Sequence, residues 1–392
     1  MPAASRVRTG TALPRTVIVL GLVSLLNDAA SEMITPLLPV FLTATLGAGP
    51  AVVGLIEGVA ESTASVIKLL AGRLVDRGVG AKRLVVGGYG LANLARPLVG
   101  LASAWSVVLA LRFADRVGKG IRTAPRDALI AGATDEAVRG RAFGFHRGMD
   151  HAGAVIGPLL AFALLSSGVA LGHVFLWSIV PGVCVMLLVL FGLRPDAQVV
   201  PRAPLPRMSL AGLDGRLRAL LLAAAALAFA SVPEVFVVLW ARGQGLPVVW
   251  VPLVWAGASL TKMLLAYPAG IATDRFGRVP LLLVGWSLRV VALAALALVP
   301  ATGAWVWLLF FAYSATLVLT EPAERSLIGD RAPAAVRGTA FGLYHLAAGL
   351  LVLPGAALFG LVWERAGSAV AFAAAALITA TAAAGMAIAA RR

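Results

Sequence analysis

The stretch Ala269–Arg278 reads AGIATDRFGR, and a related stretch, AGRLVDR, occupies Ala71–Arg77. The two copies lie at an offset of 198 residues, from position 71 to position 269. At the same offset, AVRGRAFG beginning at Ala137 recurs as AVRGTAFG beginning at Ala335. Two separate matches at one offset indicate that the chain consists of two related halves with the same topology.

The composition of the chain predicts a membrane protein. Of its 392 residues, 60% are hydrophobic and only 13% are charged, and the mean hydropathy is +0.92. Soluble domains have about 45–50% apolar and about 25% charged residues, so this excess cannot fit inside one core. A helix that spans a bilayer needs about 20 apolar residues, and a dozen such spans with short loops would use nearly the whole chain.

Twelve apolar segments, named spans 1 to 12 here, divide the chain. In order they are Thr16–Leu42, Pro50–Leu74, Leu84–Ser103, Ala104–Thr123, Gly140–Leu165, Gly172–Leu193, Leu217–Ala241, Pro247–Ala272, Val279–Val299, Ala304–Gly329, Val336–Trp363 and Ser368–Ala390. The predicted fold class is an all-α polytopic membrane protein with twelve transmembrane helices in two pseudo-symmetric six-helix bundles.

The longest connection, Arg194 to Arg216, is rich in Pro and Arg and falls near the midpoint of the chain. We interpret it as a cytoplasmic linker. The sequence therefore predicts an N-terminal six-helix bundle over residues 1–193, a linker over 194–216 and a C-terminal six-helix bundle over 217–392.

The net charge of +15 is a topology signal rather than a nucleic-acid signal. Most of the 33 Lys and Arg residues lie in the termini and in alternate loops, with no zinc-finger, RNP or basic-zipper pattern. Basic loops face the cytoplasm, so both termini are predicted there, in a multi-pass protein of a bacterial inner membrane. The lone cysteine, Cys184, excludes a disulfide framework and a CxxC site.

The loop sequence resembles a known family. Gly270–Arg278 is similar to the G-x-x-x-D-R-x-G-R signature of the major facilitator superfamily, and Gly72–Arg83 carries a copy with one extra residue. Gly153-x-x-x-Gly157-Pro158 in span 5 is similar to the antiporter motif of the proton-linked drug and metabolite exporters. Arg112 stands where that branch carries a membrane Arg, although FADR follows it. The resemblance implies a secondary transporter of that branch.

The repeated loop supplies candidate gating residues. Small residues allow helices to approach closely, and a carboxylate at a helix end accepts hydrogen bonds from Arg or from a neighbouring helix N-terminus. Contacts of this kind would favour one of two transporter conformations over the other. The alternative is ordinary turn residues with topogenic charges. The candidates are Gly72, Asp76, Arg77, Gly270, Asp274 and Arg275.

Small residues in span 5 predict close helix packing. Gly153, Gly157 and Pro158 extend a spacing that begins with Gly144 and Gly148. Glycines four residues apart allow two backbones to approach in lipid, and the proline allows a bend. Either the glycines serve packing alone, or they make the helix a pivot or seal between the halves.

Acidic residues within the spans are the candidate proton sites, because even low insertion scales give roughly 2.5–3.5 kcal/mol for a charge at mid-helix. The candidates are Asp28, Glu32, Glu61, Asp115 and Asp150. A carboxylate that meets an Arg in one conformation only would bind and release a proton once per cycle. Arg112 is the expected modulating cation. The alternative is a permanently paired structural ion, and Glu57 and Lys68 are expected at the rim.

Span 4 carries a stripe of positive side chains at positions 112, 116 and 119. The substrate-cavity candidates are Arg112, Arg116, Lys119, His146, Arg147 and Arg96. Guanidinium groups would suit a carboxylate or phosphate, but the acids of the same half could also neutralise the stripe. His146, Asp150 and His151 do not predict a metal, because position 151 points about 100° away from position 150 on a helix.

These features predict a transporter and not an enzyme. The chain has no nucleophile and base set, no HExxH motif and no G-x-x-x-x-G-K-[ST] loop, so catalysis and ATP drive within the chain are not expected. We expect alternating access, in which a small amphipathic or drug-like compound leaves the cell in exchange for protons. The alternative is proton-linked movement of an organic anion through the Arg stripe. The expected partners are a small-molecule substrate and the bilayer, with no nucleic acid, no cofactor beyond the coupling proton, and a monomeric state.

Overall fold

The computed structural model describes residues 13–134, 136–193, 222, 225–331 and 337–391. In these ranges the chain forms α-helices, short 3-10 and π turns and no strand. The α-helices, numbered in chain order, are α1 (Arg15–Glu32), α2 (Leu38–Val40), α3 (Pro50–Asp76), α4 (Ala81–Leu98), α5 (Trp105–Gly132), α6 (Glu136–Ser166), α7 (Leu171–Trp177), α8 (Ile179–Leu187), α9 (Glu234–Gly243), α10 (Val251–Phe276), α11 (Arg278–Leu298), α12 (Ala304–Arg331), α13 (Arg337–Ala366) and α14 (Ser368–Arg391).

The helices follow the predicted spans. Helices α1 and α2 belong to span 1, α3 to α6 to spans 2 to 5, α7 and α8 to span 6, α9 to span 7, and α10 to α14 to spans 8 to 12. Nine helices of the described chain are long and apolar enough to cross a membrane. The other three spans are span 1, which is interrupted, span 4, whose helix α5 carries many charges, and span 10, in which Ala304–Thr320 is an apolar stretch of described residues.

Span 1 is interrupted in its middle. Helix α1 ends at Glu32, residues 33–37 form turns, and α2 is followed by a π turn over Phe41–Thr45. Pro36 lies in the interruption and has no backbone N–H to continue the helical hydrogen bonds. The interruption places Glu32 at a helix end deep within span 1.

The two ends of the bundle are named by their connections. The outer end carries residues 46–49, 102–104, 167–170, 244–247, 299–303 and 367, and the inner end carries residues 77–80 and 277. The charge pattern predicts that the inner end faces the cytoplasm. At the inner end, Gly277 separates α10 from α11 with φ of +88°, a conformation that side-chain-bearing residues rarely adopt. This requirement explains the glycine in the repeated loop sequence.

The halves meet along three helix pairs: extensively between α3 and α13 and between α6 and α10, and to a smaller extent between α2 and α9. Near the outer end, the backbone N–H of Ala51 donates to Glu364 Oε2 at 3.0 Å, and the rings of Phe162 and Trp250 lie 5.7 Å apart. Further in, Ser62 Oγ donates to the carbonyl oxygen of Gly349 at 2.6 Å. One apolar core contains residues of both halves at this end. The outer end is therefore closed in this structure.

The expected linker, residues 194–216, lies outside the described residues, as do positions 335 and 336 of the repeated AVRG sequence. The domain boundaries at 193 and 217 therefore stay a prediction from the sequence.

Candidate functional site

A close approach of α4 and α5 brings charged side chains together in the N-terminal half. A Cβ added to Gly118 would lie 2.5 Å from the carbonyl oxygen of Gly88, so only glycine fits at this crossing. Eight residues beyond Gly88, Arg96 Nε donates to Asp115 Oδ1 at 2.8 Å, and Arg96 Nη1 donates to Asn27 Oδ1 at 2.8 Å. Arg96 and Asp115 are both almost fully buried. Two consecutive helices thus supply the two ends of a buried ion pair.

Two arginines of α5, Arg112 and Arg116, are paired with acids of α3. Arg112 Nη2 lies 2.9 Å from Glu57 Oε1 and its Nη1 lies 3.5 Å from Asp115 Oδ2. Arg116 Nη2 lies 3.6 Å from Glu61 Oε1, and its Nε lies 3.9 Å from Asp115 Oδ2. Together with the pair between Arg96 and Asp115, three guanidinium groups lie against three carboxylates. This arrangement, named the α5 charge cluster, favours internal neutralisation over a substrate-facing stripe.

Glu57 is a correction to the sequence analysis. Its expected rim position is wrong, because its side chain is buried and bonded to Arg112. Lys68, by contrast, is exposed.

The glycines of α6 pack against the carboxylate-bearing face of α1. A Cβ added to Gly153 would lie 2.9 Å from Asp28 Cβ, and one added to Gly157 would lie 3.0 Å from Glu32 Cβ. A Cβ at Gly144 or Gly148 would meet no atom within 4 Å. The adjoining Pro158 is buried and lies inside α6. The close contact of Gly153 and Gly157 is thus with a helix of the same half and not with the other half.

Asp28 and Glu32 have neutral hydrogen-bond donors as their partners. Asn27 Nδ2 donates to Asp28 Oδ1 at 3.0 Å, and Trp255 Nε1 donates to Glu32 Oε2 at 2.7 Å. Within the described part of the chain, neither carboxylate has a Lys or Arg nitrogen within 4.0 Å. These two acids therefore differ in kind from the acids of the α5 charge cluster.

Asp150 occupies an intermediate environment on α6. Ser24 Oγ of α1 donates to Asp150 Oδ1, while His146 Nδ1 and Arg147 Nη1 each lie 3.6 Å from Asp150 Oδ2. His146 is buried, but the side chain of Arg147 is 60% exposed. Among the described residues, no three His, Cys, Asp or Glu side chains converge as a metal site would require.

The cations near Asp28 are not the expected one. Arg112 was the predicted modulating cation, but Glu57 and Asp115 hold it within the α5 charge cluster. Two other cations of α5, Arg122 and Lys119, have no carboxylate oxygen within 4.0 Å among the described residues. Arg122 is buried with its guanidinium carbon 4.4 Å from the centre of the Tyr89 ring, and Lys119 is half-buried. A role that needs an unpaired cation suits these two residues better than Arg112.

A polar chain of side chains crosses from one half to the other at Glu32. Its partner Trp255 lies on α10, on the same face of the helix as Lys262. Lys262 Nζ is 5.8 Å from the centre of the indole ring. Lys262 Nζ donates to Glu234 Oε2 at 2.6 Å, and Ser314 Oγ donates to the other oxygen of Glu234 at 2.6 Å. Sequence reasoning noted the charges but missed this connection, because Trp255 gave no polar signal.

Among the gating candidates whose side chains are described, none contacts another. Asp274 and Arg77 are exposed, and the exposed Arg275 lies with its guanidinium carbon 5.4 Å from the Phe276 ring centre. A Cβ at Gly270 would meet nothing within 4 Å, and one at Gly72 would meet only Ala124 Cβ at 3.7 Å. The expected close helix approach at these two glycines is therefore absent in this conformation. The side chain of Asp76 lies outside the described residues.

The C-terminal half contains a cavity of about 290 Å³. Helices α11, α12 and α13 line it, together with the segment before α9. Its polar lining consists of Ser231, Trp286, Arg289, Thr320, Glu324, Tyr344 and His345. All the substrate-cavity candidates predicted from the sequence lie in the other half, although the charges of Arg289 and Glu324 inside spans were a usable signal. The cavity gives the C-terminal half a candidate binding region of its own.

Comparisons with known proteins agree with this architecture. The chain is 27% identical over 366 residues to an uncharacterised MFS-type transporter of Methanocaldococcus jannaschii, covering 90% of this chain and 89% of that protein. It is 33% identical over 152 residues to the multidrug resistance protein MdtH of Aeromonas hydrophila, covering 38% of this chain and 37% of that protein. A bacterial homologue of the human lysosomal transporter Spinster, solved in an inward-facing and unoccupied conformation, superposes with a TM-score of 0.77 at 17% identity, covering 96% of each chain.

The family assignment comes from the chain as a whole. The family model described as Major Facilitator Superfamily matches residues 20–356 and, in a second match, 253–391. Together with the helical architecture, this shows that the chain belongs to the Major Facilitator Superfamily of transporters.

Proposed function

We propose that this transporter couples protons to the export of a small amphipathic or drug-like compound by alternating access. The partial similarity to a multidrug resistance protein supports the exporter branch. The closed outer end and the exposed gating residues at the inner end support an inward-open conformation of a rocker switch. The proposed setting is the inner membrane, with both termini in the cytoplasm, a monomeric protein, and the proton as coupling ion.

The observation that carries proton coupling is the contrast between two sets of membrane acids. Acids of the α5 charge cluster have guanidinium partners within 4.0 Å. Asp28 and Glu32 lie in span 1 with an amide and an indole as their donors. A carboxylate without a cation in low dielectric gains more from binding a proton than a paired one does. The two acids of span 1 are therefore the proposed proton sites, with Asp150 beside them.

Glu32 is placed to connect protonation with conformation. The bond from Trp255 joins α1 to α10 and hence one half to the other. Hydrogen bonds to an ionised carboxylate are roughly twice as strong as neutral ones. A proton on Glu32 therefore weakens a contact between the halves and biases the equilibrium between closed and open outer ends.

Arg122 and Lys119 are the proposed cations that modulate Asp28. Both lie on α5, which contacts α1, and neither has a carboxylate oxygen within 4.0 Å among the described residues. A small shift of α1 relative to α5 would bring one of them nearer or take it away. Such a shift changes the proton affinity of Asp28 between conformations, as coupling requires.

The anion alternative that used the Arg stripe is disfavoured by the same geometry. Arg112 and Arg116 already face Glu57, Glu61 and Asp115. A substrate anion there would have to replace a carboxylate of the protein.

Flux measurements on purified protein in liposomes test the proposal. Compounds that raise the thermal stability of the protein are loaded, and their movement is followed with and without a pH gradient. Wild type should show flux that depends on the gradient, and at least one of Asp28→Asn, Glu32→Gln and Asp150→Asn should lose that dependence. Glu364→Gln is the matched control, because Glu364 also bonds across the halves but is exposed at the outer end. Gradient-independent flux in wild type, or unchanged dependence in all three variants, would refute proton coupling at these sites.

A further inference from the structure

Two buried donors without partners lie in the cavity of the C-terminal half. Arg289 Nε and Trp286 Nε1 are among the buried side-chain nitrogens of the described residues that form no hydrogen bond, as are the Nε atoms of Arg112, Arg116 and Arg122. Both residues line the cavity and are at most 5% exposed. An arginine N–H and an indole N–H can only donate, so what they lack is an acceptor. Buried donors without partners cost free energy and are uncommon in folded proteins.

The charge of Arg289 is held by neutral groups. Its Nη2 donates to the carbonyl oxygen of Thr316 at 3.0 Å and to Thr320 Oγ1 at 3.3 Å, and its guanidinium carbon lies 4.4 Å from the centre of the Trp286 ring. In the described chain, no carboxylate oxygen lies within 4.0 Å of it, unlike the arginines of the α5 charge cluster. Helix and stacking contacts thus fix the guanidinium, while its Nε–H has no acceptor.

We propose that this cavity binds the carboxylate group of the transported compound, with Arg289 as its partner and Trp286 as a second donor. The inference rests on the proposed function and adds a substrate class to it: an amphipathic monocarboxylate. A planar carboxylate matches the edge of a guanidinium group, where two parallel N–H donors can bind two oxygens. The apolar lining, which includes Leu227, Leu317 and Ala348, accommodates the body of such a compound.

The second charge in the cavity sets the charge of the ligand. Glu324 lies one helical turn beyond Thr320 on α12, and Tyr344 Oη donates to its Oε2 at 2.7 Å. One guanidinium and one carboxylate in the same cavity leave little attraction for a dianion. A monoanion whose oxygens lie at Arg289, one turn away from Glu324, fits this balance better than a phosphate does.

Binding of a matched pair of probes tests the inference. The probes are 2-naphthoate and 2-naphthamide, which share shape and apolar surface and differ in charge. Binding is measured by titration calorimetry on the full chain in detergent at one pH and without a proton gradient. Charge-assisted hydrogen bonds are strong enough that naphthoate should bind about tenfold or more tightly than naphthamide.

Substitutions then locate the preference. Arg289→Gln should abolish it, while Arg242→Gln, at the outer end of the same half, should retain it. A second measurement does not depend on Arg289→Gln. It uses Ala348→Cys in a Cys184→Ala background, so that a maleimide labels a cysteine in the cavity. Naphthoate should slow this labelling, and naphthamide should not. Equal binding of both probes to wild type, a preference that survives Arg289→Gln, or labelling that naphthoate leaves unchanged would overturn the inference. Proton-coupled flux without a naphthoate preference would overturn it alone, and a preference without coupled flux would overturn the proposed function alone.

Discussion

The bond between Trp255 and Glu32 offers the sharpest test of how protonation and conformation are connected. Replacing Trp255 with Phe keeps an aromatic ring but removes the N–H that donates to Glu32 at 2.7 Å. Hydrogen bonds to charged groups contribute roughly 1.5–3 kcal/mol, and about 1.4 kcal/mol is a tenfold change in an equilibrium constant. The bond joins the halves, so its loss should move the equilibrium from closed toward open outer ends by roughly tenfold to one hundredfold.

Spin-label distances across the outer end can measure this equilibrium. Ser103 and Thr302 are exposed in outer loops of opposite halves and can carry the labels in a Cys184→Ala background. Trp255→Phe should increase the long-distance population most at high pH, where Glu32 is ionised and the lost bond was strongest. The effect should diminish as the pH falls, because protonation weakens the same bond in wild type.

A matched control and a double-mutant cycle separate the bond from the loss of ring volume. Trp250→Phe removes an indole N–H from another aromatic residue that contacts the opposite half, through Phe162, and should leave the pH dependence unchanged. Glu32→Gln should have little further effect once Trp255 is Phe, since contacting residues are not additive. A full effect of Glu32→Gln in the Trp255→Phe background would refute the reasoning.

Two further predictions concern the site's framework. Asp115→Asn should lower the free energy of unfolding by about 3–5 kcal/mol, because it leaves buried guanidinium groups without a carboxylate partner. Chemical denaturation in detergent measures this loss. The control is Asp274→Asn at an exposed position, which should stay within about 0.5 kcal/mol of wild type. Gly153→Ala should cost about 1–3 kcal/mol, because the new methyl group would lie 2.9 Å from Asp28 Cβ. Gly148→Ala, whose methyl group meets open space, should cost nothing, and equal losses at both glycines would contradict the packing of α6 on α1.

The sequence predicted what depends on local pattern. Apolar runs placed the helices of the described chain, because each span must bury its backbone polar groups within itself. The spacing of Gly153 and Gly157 predicted a close helix contact, and the structure gives α1 as the other helix. The repeated loop sequence marked a position where Gly277 needs a positive φ.

The partners of the charges could not be predicted in the same way. The ion pair between Asp115 and Arg96 forms only because α4 and α5 cross closely, and the sequence of neither helix alone predicts that crossing. From the sequence, the charge of Arg112 suits a residue that modulates the proton affinity of a carboxylate. Only the structure shows that Arg112 already forms an ion pair with Glu57 of α3. The site at Arg289 is recognised because no described carboxylate oxygen lies within 4.0 Å of its guanidinium group. A sequence gives the residues but not the distances between them.

The proposed exchange of solute for protons is tested most directly by counting the protons that each transported solute moves. Liposomes containing the transporter and the internal pH dye pyranine receive a concentration gradient of a bound compound without an imposed pH gradient. Wild type should convert the solute gradient into an internal pH change, and Asp28→Asn combined with Glu32→Gln should bind the compound but produce no such change. Solute movement in wild type with a constant internal pH would contradict the account.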